Sequence, residues 1–213
     1  MVRTIEDIKA FAMDAFKGAQ GSHNWEHTLR VFTLCMHIGE KEGADLEVLK
    51  IACLLHDVAR SYQDESKGKI CHAQKGAEIA GDLLEKYPIS DEQKANIIHC
   101  IRAHRFRGNH KPETIEAKVL FDADKLDAIG AVGIARAFLF AGEVGAKLHN
   151  SHVNIEDTKP YTKEDTGYRE FKLKLSRIRD RMLTEEGRRM AEERHAFMER
   201  FFQRFLEEHE GCK

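Results

Sequence analysis

The chain has 213 residues, 42% hydrophobic and 33% charged, which is enough to bury a real core and too long for a disulfide-dependent mini-protein. Its 34 Lys and Arg against 36 Asp and Glu leave a net charge of −2, which argues against the broad basic footprint of nucleic-acid binders, so any anionic substrate must be held by a local site. Cys35, Cys53, Cys71, Cys100 and Cys212 form no CxxC pair and no stretch reaches the ~18 consecutive apolar residues of a membrane span, so the expectation is a cytoplasmic protein with free thiols and no membrane partner.

Prolines occur only at 88, 112 and 160, and apolar residues recur at intervals of three and four, so the chain reads as all-helical. A first helix is expected over 4–18, within an N-terminal stretch that lacks the apolar segment of a secretory leader. The next, 24–42, carries His27 in register with Val31, Leu34 and Ile38. Asp45 can accept hydrogen bonds from the first amides of a helix over 45–62, where His56 shares a stripe with Leu49 and Cys53 and is followed at once by Asp57. His72 falls with Gly76, Ile79 and Leu83 on a helix over 70–86, which Pro88 closes. Ser90 and Gln93 have capping-box spacing ahead of a helix over 91–105, where His104 follows Ile97 and Ile101.

Helices over 113–122 and 124–140 flank FDADKLDAIGA, in which Asp122, Asp124 and Asp127 enter an apolar run. An ionised carboxylate in such surroundings is costly unless a cation or hydrogen bonds compensate. Residues 142–167 lack periodicity and are long for a structureless connection, which suggests a lid or mobile loop within a single domain of 1–213. Amphipathic helices over 165–183 and 185–209 form a C-terminal extension, with Phe197, Phe201, Phe202 and Phe205 as packing anchors. That aromatic face could pack on its own bundle or on a second copy in a homo-oligomer.

Imidazoles pointing inward from the ends of several helices can converge on one metal, and a carboxylate next to a histidine at a helix end can grip the same ion. Mixed N/O ligation of this kind suits Mn, Fe, Zn or Co and tolerates Mg. Each residue also has a bland reading: His27 as a satisfied core histidine, His56 and Asp57 as a hydrogen-bonded helix terminus, and His72 and His104 as structural rings. His195, on a stripe with Ala191, Met198 and Phe202, is read as a packing histidine. His23, four residues before His27, either shares its face or simply precedes the helix.

The order His27, His56-Asp57, Asp124 resembles the H…HD…D signature of the HD superfamily of metal-dependent phosphohydrolases, and SHNWEHTLRVF, ACLLHDVAR, CHAQKGAEIA, IRAHRFRG, DADKLDAIGAVGIAR and EEGRRMAEERHAFM extend the likeness over roughly residues 20–205 to small stand-alone bacterial members. The resemblance implies an HD-type helical bundle, with a motif core over about 20–140, in which His27, His56, Asp57 and Asp124 hold one divalent cation, with Asp122 as the alternative last ligand. It implies hydrolysis of a nucleotide or other small phosphorylated compound through a metal-activated water, with Asp57 orienting that water. Lys125, His72 and His104 would then bind phosphate or assist proton transfer, and Arg105 and Arg107 are further basic groups suited to that anion.

Two departures stand out. His104 is followed by Arg105, where two-metal relatives often carry a second histidine, so one ion is expected. Arg60 occupies the position three residues after the dyad where some nucleotidases of the superfamily carry a catalytic Glu. The rival readings are a mixed-valent di-iron oxygenase, which needs His72 and His104 as ligands, and a non-catalytic regulatory module that keeps a metal for stability.

Overall fold

The computed structural model describes residues 2–17, 24–105 and 110–213, in which all regular structure is helical. His23 and Arg107 lie outside the described residues. The chain forms two compact units, Met1–Asp124 and Lys125–Lys213.

The first unit comprises α1 (Val2–Ala15), α2 (Trp25–Glu42), α3 (Leu46–Leu55), α4 (Arg60–Glu65), α5 (His72–Leu84), α6 (Asp91–Ala103) and α7 (Ile115–Leu126) as far as Asp124. α3 lies at its centre, packed on α1, α2 and α6. Its sequence LEVLKIACLL explains why: Val48, Leu49, Ile51, Ala52, Cys53, Leu54 and Leu55 are all buried, and a helix apolar on every side but that of Glu47 and Lys50 must be covered on the rest. Each fully buried Leu or Ile there contributes ~1.5–3 kcal/mol relative to exposure.

The ends of these helices are fixed by polar side chains. The Asn24 side chain accepts from His27 N at the start of α2, and Gly43, at φ +70°, closes the same helix in the left-handed region that glycine enters without cost. Asp45 accepts from the amides of Glu47 and Val48, while its own N–H donates to buried Glu116 at 2.8 Å. Asn96 donates to the other oxygen of Glu116, so one carboxylate joins α3, α6 and α7. Ser90 accepts from Gln93 N as its spacing predicts, but the Gln93 amide also donates to Asp45, tying the start of α6 to the cap of α3.

The second unit contains α8 (Gly130–Glu143), α9 (Gly167–Leu173) and α10 (Glu185–His209), with α8 packed on both of the others. Phe138 of α8 meets Phe201, Phe202 and Phe205 of α10, and Phe171 of α9 stacks on Phe202 with ring centroids 4.5 Å apart. Between α8 and α9 the chain makes one short 3-10 turn, Ile155–Asp157, and buried Arg169 bonds Asp165 at 2.7 Å and the carbonyl of Thr158 at 3.0 Å.

Several boundaries differ from expectation. The helix expected over 45–62 breaks after Leu55: the His56 ring takes the carbonyl of Cys53 at 2.7 Å, and a turn leads into the short α4. The break expected near residue 123 falls at 127–129, so Asp124 sits in the last turn of α7, and Arg136 holds the new turn by donating to both the carbonyl and the carboxylate of Asp127. The helix expected over 165–183 ends at Leu173 and continues as 3-10 turns, where Leu175 and Ile178, three apart, both face the core. Phe197 is 41% exposed, so of the four anchors expected on α10 it is the one that does not pack inward.

Candidate metal centre

The four histidines of interest stand at helix ends. His27 is the third residue of α2, His56 follows the last residue of α3, His72 opens α5 and His104 follows the last residue of α6. All four are buried, as is Asp57, which the turn after α3 places beside them. Asp124 comes from α7 with its side chain 17% exposed.

These side chains form two groups whose candidate ligand atoms lie within 4.8 Å of one another: His27, His56 and Asp124, and Asp57, His72 and His104. In the first, His27 Nε2 is 3.4 Å from His56 Nε2 and 3.3 Å from Asp124 Oδ1. In the second, His72 Nε2 and His104 Nε2 are 3.1 Å apart and lie 3.3 and 3.6 Å from Asp57 Oδ1. The other oxygen of Asp57, Oδ2, is 3.9 Å from His27 Nε2 and 3.7 Å from His56 Nε2. One carboxylate therefore faces both groups, an oxygen to each.

The outer ring nitrogens explain why the inner ones converge. His56 Nδ1 is 2.7 Å from the carbonyl of Cys53, and His104 Nδ1 is 2.6 Å from that of Ile101. A carbonyl only accepts, so Nδ1 carries the proton and Nε2 turns a lone pair inward, as a metal ligand requires. His72 Nδ1 makes the equivalent contact to Gln63 Oε1 at 2.8 Å. Burial, opposed by Asp57 and reinforced by His104 and Arg60, pushes the His72 pKa down to about 3, so its ring is neutral at pH 7. Two carboxylates and several inward lone pairs, turned toward one another, form a donor set that fits a divalent cation.

The remaining residues fall as follows. Asp122 is fully buried but belongs to neither group, whereas Asp124 belongs to the first. Asp127 is engaged by Arg136. Arg105 directs Nη1 to Cys71 Sγ at 3.2 Å; burial of that thiol is outweighed by the amides of Gln74 and Ala73 and by the guanidinium, which together lower its pKa. The residue that stands where two-metal relatives often carry a second histidine is thus turned to the Cys71 thiol. Lys125, in the last turn of α7, is buried. His195 is 4% exposed with Nε2 3.4 Å from Glu199 Oε1, in keeping with a packing histidine. Gln63 was not singled out in the sequence, because nothing in the spacing of a polar residue on a short helix marks it as the partner of a ring nine positions later.

The HD-domain family pattern matches residues 24–129, the stretch that contains both groups. The uncharacterized protein YpgQ of Bacillus subtilis is 36% identical over 204 residues, covering 94% of this chain and 91% of that protein. The chain belongs to the HD family. Crystal structures extend the likeness: that of B. subtilis YpgQ superposes with a TM-score of 0.74 at 34% identity, covering 97% of this chain and 95% of the other, and YpgQ has also been solved in complex with ADP. An HD-superfamily hydrolase from Bacillus thuringiensis matches with a TM-score of 0.76 at 30% identity over 97% and 96% of the two chains. The likeness thus covers nearly the whole chain. This HD protein has the fold of the superfamily's hydrolases and a His/Asp cluster able to hold a metal, and no helix of its described residues is long and apolar enough to cross a membrane.

Proposed function

We propose that this protein is a metal-dependent phosphohydrolase acting on a nucleotide or a related small phosphorylated compound, with His27, His56, Asp57 and Asp124 as ligands of one divalent cation. The observation that carries the reading is the inward convergence of these side chains from the ends of α2, α3 and α7. A cation held there would polarise a phosphoryl oxygen and lower the pKa of a bound water, which is the chemistry that hydrolysis at neutral pH needs. Asp57 would orient that water, and Lys125, next in the chain to Asp124, would meet the substrate phosphate as a charged donor. The ADP complex of YpgQ supports a nucleotide as the ligand class.

A second reading is favoured by one specific observation. With His72 Nδ1 on Gln63 and His104 Nδ1 on a carbonyl, their Nε2 atoms face each other and Asp57 Oδ1 as acceptors. Acceptors are poorly suited to hold phosphate oxygens and well suited to hold a second cation, for which Asp57, His72 and His104 would be the ligands. Metal content of purified protein loaded with Mn, measured beside turnover of a nucleotide panel, tests both readings. One ion per chain with nucleotide hydrolysis supports the first and two ions the second, while absence of both binding and turnover removes the proposal.

A further inference from the structure

We infer that Gln63 is a positioning residue of the centre: by accepting the Nδ1 proton of His72 it holds the ring with its Nε2 lone pair toward Asp57 and His104, making His72 a ligand instead of a proton donor. The inference rests on the second, two-cation reading above. His56 and His104 each follow the last residue of a helix, so the carbonyl three residues back, of Cys53 or of Ile101, is at hand to fix the ring, and main chain cannot be removed by substitution. His72 stands at the opposite end, as the first residue of α5, where no helical carbonyl precedes it. Its support therefore has to come from elsewhere, and Gln63 Oε1 supplies it at 2.8 Å.

Gln63 is itself held in place. Its own carbonyl accepts from Gly68 N at 2.8 Å and from Ser66 Oγ at 3.1 Å, and Ser66 Oγ accepts in turn from Ile70 N at 3.0 Å. The connection from α4 to α5 thus folds back over the residue whose side chain supports the first ring of α5. Gly68, at φ +83°, takes the left-handed conformation this reversal requires. Among the three rings whose outer nitrogen has an assigned acceptor, only His72 depends on a side chain.

The test reads the ring directly. In metal-free protein with 15N-labelled histidine, long-range 1H–15N correlation should show His72 as the Nδ1–H tautomer. Gln63→Leu, close in size but without an acceptor, should shift His72 toward the Nε2–H form and weaken cation binding at the Asp57, His72 and His104 group by roughly 10- to 100-fold, the usual effect of removing a ligand's outer partner. Gln63→Glu, which keeps an acceptor oxygen, should restore both. Wild-type His72 found as Nε2–H would overturn the inference without any variant being made, as would a Gln63→Leu protein with unchanged tautomer and Mn affinity. Because the tautomer is read without metal or substrate, a protein that hydrolyses no nucleotide would defeat the functional proposal and leave this measurement to decide separately on Gln63.

Discussion

Asp57 is the residue on which the candidate centre turns, because its two oxygens face different pairs of imidazoles. Removing it would take away the carboxylate that faces both groups and leave buried imidazoles facing one another. Asp57→Ala and His56→Ala should each lower Mn affinity and nucleotide turnover together, by more than the ~10- to 100-fold that loss of an outer partner costs. Full metal occupancy and turnover in either variant would sink the ligand assignment. Lys125→Ala should keep the metal but lose roughly 10- to 100-fold in kcat/KM for a phosphorylated substrate, as expected for one charge-assisted contact of ~1.5–3 kcal/mol. Kinetics equal to wild type, with metal intact, would leave Lys125 without a part in substrate binding.

At the scale of the elements, periodicity and a cap together made the starts of helices legible, although capped α3 and α9 end short of expectation at Leu55 and Leu173. α2, α6 and α10 lie within two residues of their expected spans, since Asn24, Ser90 and Thr184 cap apolar stripes of helical period. The misplaced boundaries are those set by contacts that periodicity does not encode, such as the His56 ring on the Cys53 carbonyl and Arg136 on Asp127. The turn into α8 supplies a direct check. A Cβ at Gly133 would stand 2.2 Å from the carbonyl oxygen of Ala128, a backbone atom with little room to move. Gly133→Ala should therefore cost ~1–3 kcal/mol in denaturant unfolding, where an ordinary Gly→Ala change inside a helix would stabilise. An unchanged or raised midpoint would show that this turn can relax.

For the molecule as a whole, a cation that binds the folded centre and not the unfolded chain must stabilise the fold by mass action, by ~2.7 kcal/mol when present at about a hundred times its dissociation constant. Treatment with EDTA should lower the thermal midpoint of the wild-type protein, and Mn should restore it. Asp57→Ala should give the same midpoint with and without Mn. A wild-type midpoint indifferent to both treatments would argue against metal binding in the folded state.

The sequence by itself determined the helical class and the family, and it named the residues of the candidate centre, because apolar period, capping residues and the ordered H…HD…D pattern are local or linear properties of the chain. It could also place the imidazoles near helix ends, since each ends or begins an apolar stripe. Only the tertiary structure decided which groups meet. Asp57 between two pairs of rings, Asp124 rather than Asp122 in the first group, Arg105 turned to Cys71, and Gln63 behind His72 all depend on side-chain directions set when helices pack. Alternating acidic residues look alike in sequence, and Asp122 and Asp124, two apart on α7, point about 200° apart around the helix, so linear order cannot choose between them.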